Sequence, residues 1–404
     1  MTESSEIIIA GGGLNGPALA LGLAQAGFSV TMVDARPERA RADSNFDGRG
    51  YALALASQRL LRAIGVWADV ADDSQAMLDI KITDGRAGEG PAPFFLHFDH
   101  AELEEGPMGY MLEDRHLYRA LLKAVKAEPR ITQITEDTVV SQEIGLAGVT
   151  VSLASGRSLT GQLLVGCDGR QSGVAARTGI KRTGWDYGQT ALVCAVQHER
   201  PHNGVAHQFF MPAGPLAILP LPGNKSSIVW TEKTETAVAI QAMTDEDYLA
   251  ALRPRFGNFL GAISLAGARF TYPLGLTVAD QFASKRVALV GDAAHGLHPI
   301  AGQGLNAGLR DVAALVDVLS AARQRGEDIG AETVLARYEE WRRFDTHSLV
   351  AATDLTNKVF SNDNPLMRLG RDLGLGALSK LPGLRRRFMR EAAGLTGDLP
   401  SLMR

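Results

Sequence analysis

The 404-residue sequence predicts an α/β protein: a Rossmann-like dinucleotide-binding unit, an inserted antiparallel sheet and a helical C-terminal segment. Three observations carry that expectation. The chain opens on a short apolar run, a glycine cluster and a helical stretch, in the order of a strand–turn–helix unit. Two later apolar runs, 163–166 and 287–290, end abruptly in Cys167-Asp168-Gly169 and Gly291-Asp292, as strands do where an open α/β sheet binds its ligand. Between them, residues 183–275 carry short alternating segments ("HQFFM", "LAILPL", "SSIVW", "RFTYPL"), several of them separated by Pro and Gly, the pattern of an antiparallel sheet.

Bulk properties narrow the function. Length alone allows two to three domain-sized units. Hydrophobic residues at 45% and charged residues at 21% are ordinary for a soluble globular protein, and a net charge of −4 gives no reason to expect nucleic acid. The only cysteines, Cys167 and Cys194, form no CxxC, which argues against a disulfide framework or thiolate metal site and fits a reducing compartment. No apolar stretch is long enough to span a bilayer. The start, "MTESSEIIIAGGG", carries an acid where a signal peptide carries positive charge, so a cytoplasmic location is expected. Apart from His295 and His298 the histidines are scattered, and no metal site is expected.

Taken in order, residues 7–10 read as a buried strand. Gly11, Gly13 and Gly16 supply G-x-G-x-x-G, an Ala/Leu-rich helix runs to Gly27, and "SVTMVD" is the next strand. Asp34 falls at its end, about 20 residues past the glycines, where the dinucleotide fingerprint places an acid. Gly11 permits the tight turn, Gly13 lets backbone N–H groups approach a pyrophosphate, and Gly16 lets helix and strand pack closely. The helix N-terminus attracts the phosphates, and Asp34 accepts from ribose hydroxyls. Pro17 is tolerated in a first turn that has no N–H partner to lose. FAD, NAD and NADP all use this cradle, so the motif alone does not choose among them.

In "GRSLTGQLLVGCDGRQSGVAARTGI", Asp168 reads either as a turn acid and N-cap or as a ligand contact, with Gly169, Ser172 and Arg177 beyond it. In "VALVGDAAHGLHPIAGQGLNAGLRDVAAL", Asp292 is placed to accept from a sugar-like chain. The helix beginning near Gly304 points its dipole at a group that becomes anionic, as a reduced flavin does. His295 and His298 fit a proton carrier, or neutral rings that order the loop by hydrogen bonds. From Glu332 onward the pattern is helical, "YEEWRRF" lying on an amphipathic segment. The tail "MRLGRDLGLGALSKLPGLRRRFMREAAGL" mixes apolar residues with Arg368, Arg371, Lys380, Arg385, Arg386, Arg387 and Arg390. It fits an interfacial or docking surface as well as a solvated tail packed on the rest of the chain.

Three separated motifs of this kind resemble the class A flavoprotein monooxygenases of the p-hydroxybenzoate hydroxylase fold. Within these the chain is most similar to the ubiquinone-biosynthesis hydroxylases. "GDAAHGLHPIAGQGLNAGLRDVAAL", "AGPLAILPLPGNKSSIVWTE" and "YEEWRRFDTHSLVAATDLTNKVFSNDNPLMRLGRDLGLG" are nearly the quinone-pathway wording, and the resemblance covers almost the whole chain. It implies that Gly11, Gly13, Gly16 and Asp34 hold the ADP half of FAD, that Asp168 and Gly169 serve FAD and NAD(P)H, and that Gly291 and Asp292 hold the ribityl chain. It further implies Arg49 near the FAD diphosphate and the nicotinamide approach, Arg115 as a flavin contact, and Gly304, Leu305 and Asn306 at the flavin-facing helix start. It also implies that His298, Pro299, Gly302 and Gln303 border the reactive edge. Either arginine also reads as a solvated helix charge. Asp34 stands where Glu is more usual, which shortens the reach to the ribose, and Gln171 follows Arg170 where Asn is common.

The implied fold is an FAD-binding domain from 1–75, 100–182 and 276–330, a substrate-binding β-sheet domain from 76–99 and 183–275, and a C-terminal helical region 331–404. The implied activity is hydroxylation of a polyprenylated phenol with NAD(P)H as a transient co-substrate and O2, through a flavin C4a-hydroperoxide. Other quinone-biosynthesis proteins and the inner-membrane surface are candidate partners. A prenyl-chain reductase sharing the FAD motifs, and a non-catalytic flavin-bound scaffold, are the competing readings; "HPIAGQGLN" favours the hydroxylase.

Overall fold

The computed structural model describes residues 2–38, 49–88, 90–297, 302–360 and 381–404. Its organising element is a six-stranded sheet in the order 283–284, 287–289, 163–166, 7–10, 30–34, 131–135, parallel except for the first strand. Ile7, Ile8 and Ile9 are wholly buried, as a parallel strand covered on both faces requires. Registers pair Ala10 with Gly166 and Gly166 with Leu289, so strands more than a hundred residues apart end side by side. That alignment delivers the three sequence motifs to the C-terminal ends of three adjacent strands of one sheet.

Helix Asn15–Gln25 follows the central strand and is buried from Gly16 to Ala24. This explains why it is apolar around its whole circumference rather than amphipathic. It packs against helix Gln303–Gln324, and the latter against helix Glu332–Phe360. The C-terminal residues bind this layer from outside. Arg310 donates to the Thr396 carbonyl at 2.7 Å, the Ser401 amide donates to Asp317 at 2.7 Å, and Met389 and Met403 are buried.

A nine-stranded, largely antiparallel sheet forms the second layer; its long strands are Arg182–His198, Gly214–Leu221, Lys225–Lys233 and Phe270–Ala279. Alternation gives it two different faces. Leu192, Cys194, Ile228 and Trp230 pack under helices Thr234–Gln241 and Asp245–Phe256. Ala191, Val193 and Leu274 lie on the other face with Tyr187, Val229 and Phe270. Residues His295–Gly296 pair with Val278 and Thr277 at the edge of this sheet, which ties the loop after Gly291-Asp292 to it. A small sheet of Gly50–Ala54, Gly109–Glu113 and Gln75–Met77 lies between the layers, and a four-stranded sheet borders the first.

Candidate cofactor site and active site

At the end of the central strand the backbone is too crowded for side chains. Gly11 has φ +111°, and a Cβ there would lie 2.3 Å from the Cys167 carbonyl oxygen; one on Gly16 would lie 2.0 Å from the Gly11 oxygen. A Cβ on Gly12 would be 2.4 Å from Asp34 Oδ2, so the acid ending the next strand sits against the glycine turn. Asp34 is buried, and its Oδ1 accepts from the Arg36 amide at 3.1 Å.

The second loop locks onto the first. Gly291 has φ +62°, and a Cβ there would lie 2.1 Å from Asn15 Nδ2; one on Gly308 would lie 2.4 Å from the same atom. Asn15 thus wedges between the two loops and helix Gln303–Gln324, and its Oδ1 is buried with no partner among the described residues. Asp292 keeps its carboxylate half exposed, 3.7 Å from Arg170 Nε, while its carbonyl accepts from Arg182 at 2.8 Å. Arg170 also donates to the Leu297 carbonyl at 3.2 Å, and Arg182 to the Arg170 carbonyl.

Two helices begin here, Asn15–Gln25 and Gln303–Gln324. Neither has a side-chain cap or an acid in its first turn. The N-cap residues Leu14 and Gly302 offer their leading amides no side-chain acceptor, and the helix dipoles favour negative charge there. Gly302 takes the left-handed conformation at φ +64° against Ala52, whereas a Cβ on Gly304 would meet nothing within 4 Å among the described residues. The crowded glycine turn, the Asn15 oxygen with no partner among the described residues and the two helix starts without an acidic first turn fit a dinucleotide with phosphates and a polar chain. FAD fits this donor set.

The remaining expected residues are distributed as follows. Gly302, Gln303, Gly304 and Leu305 open the third-motif helix. Asn306 points inward: Oδ1 accepts from the Ala54 amide at 2.9 Å and Ser57 Oγ at 2.7 Å, and Nδ2 donates to the Ala52 and Gly302 carbonyls at 2.8 and 3.0 Å. Its amide is thus fully used in joining the helix start to the small sheet. Gly13 lies in the first turn. Arg49 and Arg115 flank that sheet, Arg49 at 3.7 Å from Asp114 and 5.9 Å from the Phe270 ring centroid, and Arg115 at 2.7 Å from Glu113. Asp168 accepts from Ser172 Oγ at 2.5 Å and from the Val174 amide at 3.0 Å, while Gly169 has φ +81°. That is the capping geometry of a turn acid. His298 and Pro299 lie outside the described residues. His295 is wholly buried with Nε2 2.7 Å from Asp311, away from solvent.

Asn15, Asp311 and Arg342 are the side chains that reading the sequence overlooked. Asp311 and Arg342 resemble solvated helix charges, and only burial distinguishes them.

Comparison with known proteins agrees with this site. The family model described as "FAD binding domain" matches residues 4–353. The chain is similar to the ubiquinone hydroxylase UbiL of Rhodospirillum rubrum, with 45% identity over 403 residues covering 99% of this chain and 92% of that protein. It is also similar to the 3-demethoxyubiquinol 3-hydroxylase of Escherichia coli, with 37% identity covering 97% of this chain and 99% of that one. Among solved structures, p-nitrophenol 4-monooxygenase PnpA from Pseudomonas putida superposes with TM-score 0.81 at 20% identity, covering 98% of this chain and 99% of that one, which shows a shared fold.

Proposed function

This chain belongs to the FAD-binding family that contains the ubiquinone hydroxylases, and we propose that it is an FAD-dependent monooxygenase that hydroxylates the ring of a polyprenylated phenol in ubiquinone synthesis. When bound, FAD supplies the electron transfer from NAD(P)H and the activation of O2 that side chains do not provide. The observation that carries the substrate class is the face of the nine-stranded sheet opposite its helices. Ala191, Val193, Val229, Phe270 and Leu274 make it apolar, and Arg49 beside the small sheet reaches over Phe270. Such a wall receives a prenylated ring and keeps water from the reacting atoms.

The chain's own groups divide the remaining work. The glycine turn and Asp34 hold the nucleotide half; Asp292, held by Arg170, accepts from the polyol chain; the amides opening helix Gln303–Gln324 steady negative charge on the ring system. Arg49 and Arg115 serve the diphosphate and flavin side, Asp168 and Gly169 shape the adjoining turn, and His298, Pro299, Gly302 and Gln303 border the reacting edge. In this assignment residues 1–75, 100–182 and 276–330 form the FAD unit, 76–99 and 183–275 the substrate unit, and 331–404 the helical region.

Purified protein given NAD(P)H, isotopically labelled O2 and a prenylated phenol is expected to return the phenol with one labelled oxygen on its ring. Saturation of the prenyl chain without label would make it a reductase. Flavin binding without NAD(P)H oxidation would make it a scaffold.

The substrate's tail also directs attention to a surface. Helix Pro382–Ala392 is anchored by buried Met389 and by Arg385 and Arg390, bound to Glu102 and Glu105 at 2.8 and 2.6 Å. It leaves Leu381, Leu384, Phe388, Arg386 and Arg387 exposed. Apolar side chains interleaved with exposed cationic ones suit an anionic lipid surface. Arg368, Arg371 and Lys380 lie outside the described residues. Among the described residues no helix is long and apolar enough to cross a membrane. Leu384→Asp or Phe388→Asp is expected to weaken co-sedimentation with phosphatidylserine vesicles on the order of tenfold each, with the melting temperature unchanged. Undiminished binding would move the contact elsewhere.

A further inference from the structure

Asp311 occupies an unfavourable position for an acid: it is wholly buried in the third-motif helix, with Val312, Ala313, Ala314 and Leu315 beside it. Its carboxylate is nevertheless well supplied with donors. Oδ2 accepts from the Gly291 amide at 2.9 Å and lies 2.7 Å from His295 Nε2, while Oδ1 accepts from Arg342 Nε at 2.7 Å. With two N–H groups already donating to it, the carboxylate is the acceptor from His295, whose Nδ1 has no partner among the described residues. Arg342 is held in turn by Asp345 at 2.7 Å.

Two of the three donors come from the segment that carries Asp292, and Asp311 itself belongs to the helix that starts at Gln303. The carboxylate therefore fixes the Gly291–His295 turn relative to that helix start. We propose that Asp311, with His295 and Arg342, is a positioning residue for the bound flavin: it sets the separation between the Asp292 carboxylate and the helix amides, so that flavin affinity and potential depend on a side chain that does not reach the ligand. This rests on the FAD reading above.

Asp311→Asn replaces an acceptor oxygen by a donor, which opposes both the Gly291 and His295 N–H groups in the Oδ2 place or the Arg342 Nε–H in the Oδ1 place. The expected result is FAD binding weakened on the order of tenfold, read by quenching of flavin fluorescence. A further tenfold loss against the reduced flavin would lower its potential by about 30 mV for a two-electron couple. His295→Leu removes one donor without burying a new charge and is expected to move both readouts in the same direction; His295→Gln, which retains a side-chain N–H, is expected to restore them. Variants of lowered melting temperature whose FAD affinity and potential equal those of the wild type would overturn the proposal. Wild-type protein that takes up no FAD would overturn the FAD reading as well.

Discussion

Gly16→Ala is expected to give protein that purifies colourless, with FAD affinity reduced on the order of a hundredfold or more. The added Cβ would lie 2.0 Å from the Gly11 carbonyl oxygen, which is backbone and cannot rotate away, so the first helix must retreat from the turn it closes. Retreat also pulls on Asn15, which touches Gly291 and Gly308, so both cofactor loops are disturbed by one methyl group. Gly304→Ala supplies the contrast. Among the described residues its Cβ meets no atom of another segment within 4 Å, and alanine is a better helix former by about 1 kcal/mol, so the flavin-free protein is expected to be as stable or more so. If the helix start is where the flavin lies, the same methyl group occupies the ligand's space and weakens FAD binding. Calorimetry and visible absorbance on both variants check this. Gly304→Ala binding FAD like the wild type would remove the flavin from that helix end.

How much of this was legible in the sequence follows from where each signal originates. Loops that must admit a ligand are written in glycine and in acids at strand ends, and those at 11–16, 167–169 and 291–304 could be read directly. The parallel registers that bring Ala10, Gly166 and Leu289 together conform to the apolar runs, because a strand buried on both faces needs little else. The small sheet could not be read so readily. "GYALA" carries alanine and leucine that favour helix, and it becomes strand Gly50–Ala54 because Gly109–Glu113 pairs with it. Asn306, expected at the flavin-facing helix start, also ties that strand to the helix, a role that needs the three-dimensional partner to be recognised. "YEEWRRF" lies on a segment read as amphipathic, and nothing in its spacing marks Arg342 as the residue that is 2% exposed because its partner Asp311 arrives from another helix. Spacing within one segment carries no record of such long-range pairs.

That pairing gives the second large effect. Arg342→Met should cost about 3–5 kcal/mol of stability, because it leaves a buried carboxylate short of its compensating cation while preserving most of the side chain's volume. For a chain this size the melting temperature should fall by about 3–6 °C. The effect has a defined pH dependence. Burial pushes the Asp311 carboxyl upward, but His295 and Arg342 outweigh it and hold the group below the ordinary carboxylate range. A group depressed in the folded state contributes stability that is present above its unfolded pKa and lost as pH falls through the folded one. The wild type should therefore lose this contribution on the acid side, whereas in Arg342→Met the carboxyl takes up its proton at higher pH and sheds the uncompensated charge earlier. The difference in stability between the two proteins should be largest near neutrality and shrink as pH falls below the carboxylate range. Urea unfolding at a series of pH values measures it. A difference that stays constant with pH would mean that Arg342 acts through packing alone and that the charge on Asp311 is not what holds the turn.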